Sequence, residues 1–512
     1  MRISRFRGTA AIGVMAVALT VMTACGGGVP TTGSQVSAGT KLVIAETVSP
    51  QTFDPIQSSQ IATMYAWQLV YNGLVKVNGE GKVQPEIATD WTVSDDRLTY
   101  DFTLRSGAKF SDGSPLTADD VEFSFQRLLA EGLPYAKARF GSLASVTKVD
   151  ETHVRFQLKT ADAGFLLNLG SPFLIGSGIV SKAWAASHDL KTQVLGAGPF
   201  QVVSYAPNSQ LVLKRNENYW DASAAPKYTD LQVKYMPDQA AQVAAVQAGQ
   251  VDLIFPSAEN ALQLKNSKTV QISSVPGTNT VRLNINSSRA PFDNPDVRAA
   301  ISLALDRDAI VKGAFLGEAV PSSQLPASTP WGLPLDQLEN QTRDVNKAKQ
   351  LLSAAGHPDG VDITLTHLAG YGTYLDRFAD LVKTQLAEAG INVTIQAEQN
   401  PVWLDRQNKA NYDILDNVYA FTGDPMSLLS PRPGRQGPTP PEVTALMAKA
   451  AQGDPAEYGA NLQELMRLED KLVFPDIAVA APNAMIAYGP NVTSAAPDPT
   501  LARQFLTDVT VK

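Results

Sequence analysis

Between Val361 and Ile395 the apolar residues change period twice, which restricts the chain to folds that hold parallel strands. Val361, Ile363 and Leu365 alternate as in a strand. Leu375, Phe378, Val382, Leu386 and Ala389 then recur at helical spacing up to Gly390, and Ile391, Val393 and Ile395 alternate again. Strand, helix and strand in that order most simply form a right-handed crossover between parallel strands. A similar step follows the helical stretch Gln239 to Ala248, where Gly249 can take the left-handed position before Val251, Leu253 and Phe255. Asn294-Pro295 opens a further helix with Val297, Ile301 and Leu305, placing Pro where its missing N–H does no harm. In the first half, Leu98, Tyr100, Phe102 and Leu104 alternate after Trp91 and Val93, with Asp95-Asp96 between, and predict a β-hairpin. Thr117-Ala118-Asp119-Asp120 offers a cap and acids for a helix that carries Val121, Phe125, Leu128 and Leu129 on one face. Val146 to Val149 and Val154, Phe156 and Leu158 suggest another strand pair. The fold class is α/β with an appended mixed region.

The N-terminus carries a separate signal. Arg2, Arg5 and Arg7 precede an uncharged apolar run from Ala10 to Met22 that ends in Thr23-Ala24-Cys25, so residues 1–24 are expected to be a signal peptide. That run is too short and Ala-rich for a membrane span, and no later stretch approaches the roughly 18 to 20 apolar residues a span needs. Cys25 is the only cysteine, which excludes an internal disulfide. Met22-Thr23-Ala24-Cys25 resembles a bacterial lipoprotein box, in which the thiol is acylated, although Met stands where Leu is usual. Stable anchoring takes two or more acyl chains, at about 0.8 kcal/mol for each buried methylene. Residues 25–40, opening Gly26-Gly27-Gly28, then read as a flexible tether.

Removing residues 1–24 takes away three Arg and no acid, which moves the formal charge from −8 to −11. Phosphate backbones are bound by clustered Lys and Arg, so a nucleic-acid partner is not expected. A chain of 512 residues exceeds what one core serves and implies two or more subdomains.

The sequence carries no G-x-S-x-G elbow, H-E-x-x-H pair, phosphate loop or G-x-G-x-x-G turn. Ser106 to Lys109 and Ser145 to Lys148 match Ser-x-x-Lys but lack the companions a penicillin-binding site needs. The histidines, His153, His188, His357 and His367, fit no metal spacing; His357, Asp359 and His367 could meet through the fold, but the plainer expectation is exposed loop histidines. No catalytic residue, metal or cofactor is predicted. Glycosidase carboxylates leave no short signature, so a secreted hydrolase stays as the least favoured alternative.

Longer blocks carry more information. Tyr71-Asn72-Gly73-Leu74-Val75, Pro85-Glu86-Ile87-Ala88 and Leu98 to Phe102 come first. Leu104-Arg105-Ser106-Gly107-Ala108-Lys109-Phe110-Ser111-Asp112-Gly113 and Leu116 to Val121 follow. Then come Gly196 to Phe200, Arg215 to Trp220, Gly249 to Asp252, Pro291 to Arg298, Ala304 to Arg307, and Asp344 with Lys347 to Leu352. In order and wording they resemble the extracytoplasmic solute-binding proteins of the dipeptide, oligopeptide and nickel importer class, family 5, over nearly the whole chain. The resemblance implies a two-lobed periplasmic-binding-protein-like fold of type II, hinged by two crossovers. It implies one lobe from 41–71, 195–282 and 486–512, an inserted subdomain at 72–194, and a second lobe at 283–485. It implies a monomeric, extracytoplasmic receptor, lipid-anchored to the cell membrane, that delivers a peptide or small solute to ABC permease subunits; delivery to a sensor is a further possibility.

In peptide-binding relatives an Asp just before an Asp-Pro segment neutralises the ligand's α-amino group. Here Tyr419-Ala420-Phe421-Thr422-Gly423-Asp424-Pro425 allows two alignments. One puts Phe421 at the amine position and points to a ligand without a free amine, such as a glycoside, an opine-like or aromatic compound, or a metal chelate. The other makes Asp424 the amine partner, as a buried ammonium requires. Trp403, Tyr371, Tyr419 and Phe421 are candidate stacking walls from the second lobe. Ser59, Gln60 and Asn279 are the candidates on the first-lobe side.

Overall fold

The structure, a computed structural model, describes residues 40–429 and 436–512. The expected signal peptide, Cys25 and the tether through residue 39 lie outside the described residues. A seven-stranded sheet has Lys41–Glu46 at its centre, parallel to Asp230–Tyr235 on one side and to Leu253–Ile254 on the other. A six-stranded sheet holds Thr280–Ile285, Asp476–Pro482, Ile414–Tyr419, Val361–Leu368, Ile391–Glu398 and Ala319–Pro321. A four-stranded antiparallel sheet is made of Ala88–Val93, Thr99–Leu104, His153–Leu158 and Leu143–Lys148, which contains the expected hairpin and strand pair. The chain crosses from the seven-stranded to the six-stranded sheet between Val275 and Thr280, and returns between Pro482 and Ala484. The fold is therefore a two-lobed α/β fold with two crossings.

The strand-helix-strand unit forms as its periodicity requires. Val361–Leu368 and Ile391–Glu398 are parallel in register from Val361↔Ile391 to Leu368↔Glu398, joined by the helix Thr373–Glu388. That helix buries Leu375, Phe378, Val382 and Leu386, each worth roughly 1.5–3 kcal/mol when removed from water. Gly360 (φ +95°) and Gly390 (φ +86°) meet where the two strands begin, and a Cβ on Gly360 would lie 2.2 Å from the Gly390 carbonyl oxygen. Only glycine fits there. Gly249 follows the helix Gln239–Gln247 at φ +69°, and the Asn294 side chain caps Pro295–Ala304 by accepting from the Asp296 N–H at 2.9 Å.

The sequence blocks turn out to be bonded to one another. Glu86 Oε1 accepts from the Asn72 amide (2.6 Å) and Oε2 from the Gly73 N–H (2.9 Å), tying two blocks together. Trp220 Nε1 donates to Asn72 Oδ1 (3.3 Å), the Asn216 amide donates to the Gly198 carbonyl (2.8 Å), and the Asn218 amide donates to the Ser111 carbonyl (3.2 Å). Gly196 and Gly198 lie so close to Val70 that a Cβ would fall 1.9 and 2.5 Å from its backbone. These residues join the inserted sheet to the seven-stranded one, so they serve the fold.

Burial pushes the Glu86 carboxyl up from 4.5 to about 7, against the opposing pull of the Gly73 and Asn72 hydrogen bonds. A raised value means the folded chain holds this proton more tightly than the unfolded chain, so the contribution of Glu86 to stability is greatest below pH 4.5 and declines as pH rises to about 7. Glu86→Gln is expected to flatten that decline in melting temperature. It should also cost roughly 1–3 kcal/mol, because an amide NH₂ would face a donor; denaturant titrations across this pH range measure both effects.

Where the chain crosses, a fully buried Arg282 on Thr280–Ile285 pairs with Asp476 on Asp476–Pro482 (3.0 Å). Its guanidinium also donates to Thr280 Oγ1 (2.7 Å) and to the carbonyls of Leu428 (2.7 Å) and Gln324 (2.5 Å), and lies 4.6 Å from the Tyr419 ring centroid. Arg282→Met leaves the Asp476 charge buried and unpaired, with an expected loss of about 3–5 kcal/mol. Combining it with Asp476→Leu should recover most of that loss in the same urea titration.

Candidate functional site

A partly open cavity of about 110 Å³ lies where the inserted segment, the crossing strands and the second lobe come together. Phe421 and Gly423, from the loop after Ile414–Tyr419, form one wall, and Trp331 forms another, with its ring centroid 6.0 Å from that of Phe421. Leu167 and the turn at Asn78 to Gly81 approach from the insert, and Thr278, Pro499 and Gln504 close the side near the crossings.

Asn279 and Phe421 are brought together, the Phe421 N–H donating to Asn279 Oδ1 at 3.2 Å. Asp424 faces elsewhere. Its Oδ1 accepts from the Met426 N–H (3.0 Å) and from the Tyr458 hydroxyl, and its Oδ2 lies against Gly164, where a Cβ would come within 2.3 Å. Burial pushes Asp424 up to about 6, with the Tyr458 and Met426 bonds pulling it down. Ser59 and Gln60 are exposed, and Gln60 precedes the helix Ile61–Val70 without spending its side chain on a cap. Tyr371 is 53% exposed with its ring centroid 6.4 Å from that of Tyr374.

Two aromatic candidates are structural. Trp403, 4% exposed, belongs to the core of the six-stranded sheet, because the helix Asn400–Asn408 turns it inward. Tyr419 is 6% exposed, with its hydroxyl accepting from the Asn284 amide (3.0 Å). The expectation of exposed loop histidines also fails for His367. Val361–Leu368 runs beyond the apolar alternation, so His367 is carried into the strand between Asp416 (2.5 Å) and Asp376 (2.8 Å). Burial opposes its charge, yet the two carboxylates raise it to about 9. Among the described residues no group of three or more His, Cys, Asp or Glu could hold a metal ion.

The reading by residue type missed Trp331, Gln504 and the contacts that join the insert and the seven-stranded sheet to the second lobe. The Ser171 hydroxyl donates to the Thr422 carbonyl (2.6 Å), Arg139 donates to the Thr422 hydroxyl, and the Ala163 N–H donates to the Ala451 carbonyl (2.7 Å). On the other side Glu259 accepts from the Thr373 hydroxyl (2.7 Å) and the Arg377 guanidinium (2.5 Å). Trp331, between Pro330 and Gly332, is the one with a visible sequence signal, an aromatic residue set in a turn.

A sequence profile described as bacterial extracellular solute-binding proteins, family 5 Middle, matches residues 82–437. The chain belongs to this family. Heme-binding protein A of Haemophilus influenzae is 31% identical over 441 residues, covering 79% of this chain and 77% of the relative. The dipeptide-binding protein of Escherichia coli is 30% identical over 456 residues, covering 83% and 82%. Among solved structures, HbpA2 from Haemophilus parasuis superposes with a TM-score of 0.80 at 24% identity, over 92% of this chain and 100% of that one. NikA from Brucella suis in complex with Fe(III)-EDTA gives 0.81 at 22%, over 92% and 100%. As a family 5 protein the chain is an extracytoplasmic solute-binding receptor, and no helix among the described residues is long and apolar enough to cross a membrane.

The bonds of Glu259 join elements of the two sheets and are about a third exposed, so they rank with surface ion pairs of about 0.2–1 kcal/mol. If they form only when the lobes close, Glu259→Ala weakens ligand affinity by up to about fivefold with little change in melting temperature, a pairing that calorimetric titration and thermal melts resolve.

Proposed function

We propose that this chain captures a peptide or similar small polar solute between its lobes and hands it to the membrane permease of an ABC importer, without altering it. The observation that carries this reading is a cavity walled by the insert, the crossings and the second lobe, in a chain whose 30% identical relative is a dipeptide-binding protein. Ligand held there touches both lobes and so favours the closed form, whereas equal affinity for open and closed forms would shift nothing. Asn279 and Phe421 are the ligand-contacting candidates at the cavity, with Ser59, Gln60 and Tyr371 as exposed candidates. The sheet changes after Val275 and after Pro482 support the division into 41–71, 195–282 and 486–512, an insert at 72–194, and a second lobe at 283–485, to within a few residues. Cys25 is the lipid attachment point, and the receptor works as an anchored monomer.

A ligand without a free amine is the second reading. It is favoured by Phe421 lining the cavity while Asp424 is engaged by Tyr458 and packed against Gly164.

A thermal-shift screen of the mature chain with peptides, sugars and metal chelates tests both readings. A ligand at about 100 times its dissociation constant stabilises by about 2.7 kcal/mol. Peptides are expected to raise the melting temperature and to be recovered chemically unchanged; silence from every class, or conversion of a bound compound, would refute the receptor reading.

A further inference from the structure

The cavity at Trp331 and Phe421 is more selective in chemistry than its position alone implies. Most of its polar side chains are engaged by the protein itself. Ser328 Oγ donates to the Gly277 carbonyl (2.8 Å), Thr329 Oγ1 to the Pro326 carbonyl (2.7 Å) and Thr278 Oγ1 to the Pro499 carbonyl (3.3 Å). Asp498 Oδ1 accepts from the Thr500 N–H (2.7 Å), and Asn78 Oδ1 from the Lys82 N–H (2.9 Å). What remains facing the space is mainly Trp331, Phe421, Leu167, Val77 and proline rings, with the Asp498 carboxylate beside them. A carboxylate entering here would lose its water beside Asp498 with no cation to receive it, a cost of several kcal/mol.

The walls are also fixed in place. The turn of the insert passes directly beneath the indole, where a Cβ on Gly81 would fall 2.6 Å from Trp331 Cζ2, and Gly81 sits at φ +74°. The volume of about 110 Å³ is smaller than the roughly 150 Å³ of an apolar cavity that holds benzene. The Gln504 side chain forms no hydrogen bond among the described residues, so a neutral amide is left for a ligand to meet.

Resting on the proposed receptor reading, we infer that this cavity is a side-chain subsite for one apolar group, no larger than a leucine side chain, on a peptide-like ligand whose backbone amide pairs with Gln504. The same space read as a carboxylate site would need a cation, and the charged side chain that lines it is Asp498.

Calorimetric titration of the mature chain with Ala-X-Ala tripeptides tests the subsite. With X as Leu, binding is expected at least tenfold tighter than with X as Asn or Asp. Trp331→Ala should erase that ratio, and Gly81→Ala, which displaces the indole without deleting it, should reduce it; Gln504→Ala should weaken all the tripeptides by a similar factor. Xenon under pressure in crystals of the unmodified chain should lodge between Trp331 and Phe421. Tripeptides that bind with equal affinity for every X, a preference for Asn or Asp, or no xenon in the cavity would overturn the subsite. Xenon in the cavity with no tripeptide bound would overturn the peptide reading and leave the apolar assignment standing.

Discussion

The pairing of Arg282 with Asp476 is the constraint on which the two-lobed arrangement rests. Thr280–Ile285 follows the first crossing and Asp476–Pro482 precedes the second, so one ion pair locks together the two strands from which both crossings leave. Asp476 also accepts from Asn284 (2.8 Å) and Gln436 (2.5 Å), and Arg282 donates further to the Thr280 hydroxyl and the Leu428 and Gln324 carbonyls, so the site approaches the full satisfaction a buried charge requires. Its neighbour Glu469 is fully buried and has no hydrogen-bond partner among the described residues. Burial holds Glu469 well above its ordinary range, the Asp476 charge adds to the shift, and the Arg282 charge opposes it. Hinged lobes need stiff roots, and a hydrogen-bonded ion pair at the base of both crossings supplies one.

Much of the fold could be read along the chain because local chemistry and tertiary packing agree. The helix Thr373–Glu388 buries the side chains its period selects, and Gly360, Gly390 and Gly249 stand where positive φ is required. The sequence blocks were legible for a different reason. Glu86, Asn72, Asn216 and Trp220 are partners in one network, so each constrains the others and the order of the blocks follows. The same fact explains why those blocks say little about the ligand: their polar atoms face one another.

The site was less legible because its residues are chosen by the fold rather than by spacing. Asp424 and Phe421 are three residues apart, yet the loop turns one toward Tyr458 and Gly164 and the other toward Trp331, and no periodicity governs an irregular loop. Trp403 and Tyr419 look in sequence like stacking residues. What decides them is the face of a helix in one case and a strand register beside Arg282 in the other. His367 was misplaced because the alternation ends at Leu365 while the strand continues to Leu368, so a polar residue still enters the core, provided carboxylates receive it.

The contacts joining the insert and the first sheet to the second lobe bear on how such a receptor balances its states. Those of Thr422 and Ala451 are mainly backbone carbonyls meeting Ser171, Arg139 and the Ala163 N–H, and the Glu259 contact stands partly in solvent. Groups of this kind exchange water for protein at a net gain of about 1 kcal/mol or less apiece. They can orient closure but cannot hold it shut against the entropy of an open hinge. Most of the driving force has to come from burying something apolar between the lobes, at about 25 cal/mol per Å². The space between Trp331 and Phe421 is where such burial is available, because its walls are mainly ring faces and aliphatic side chains.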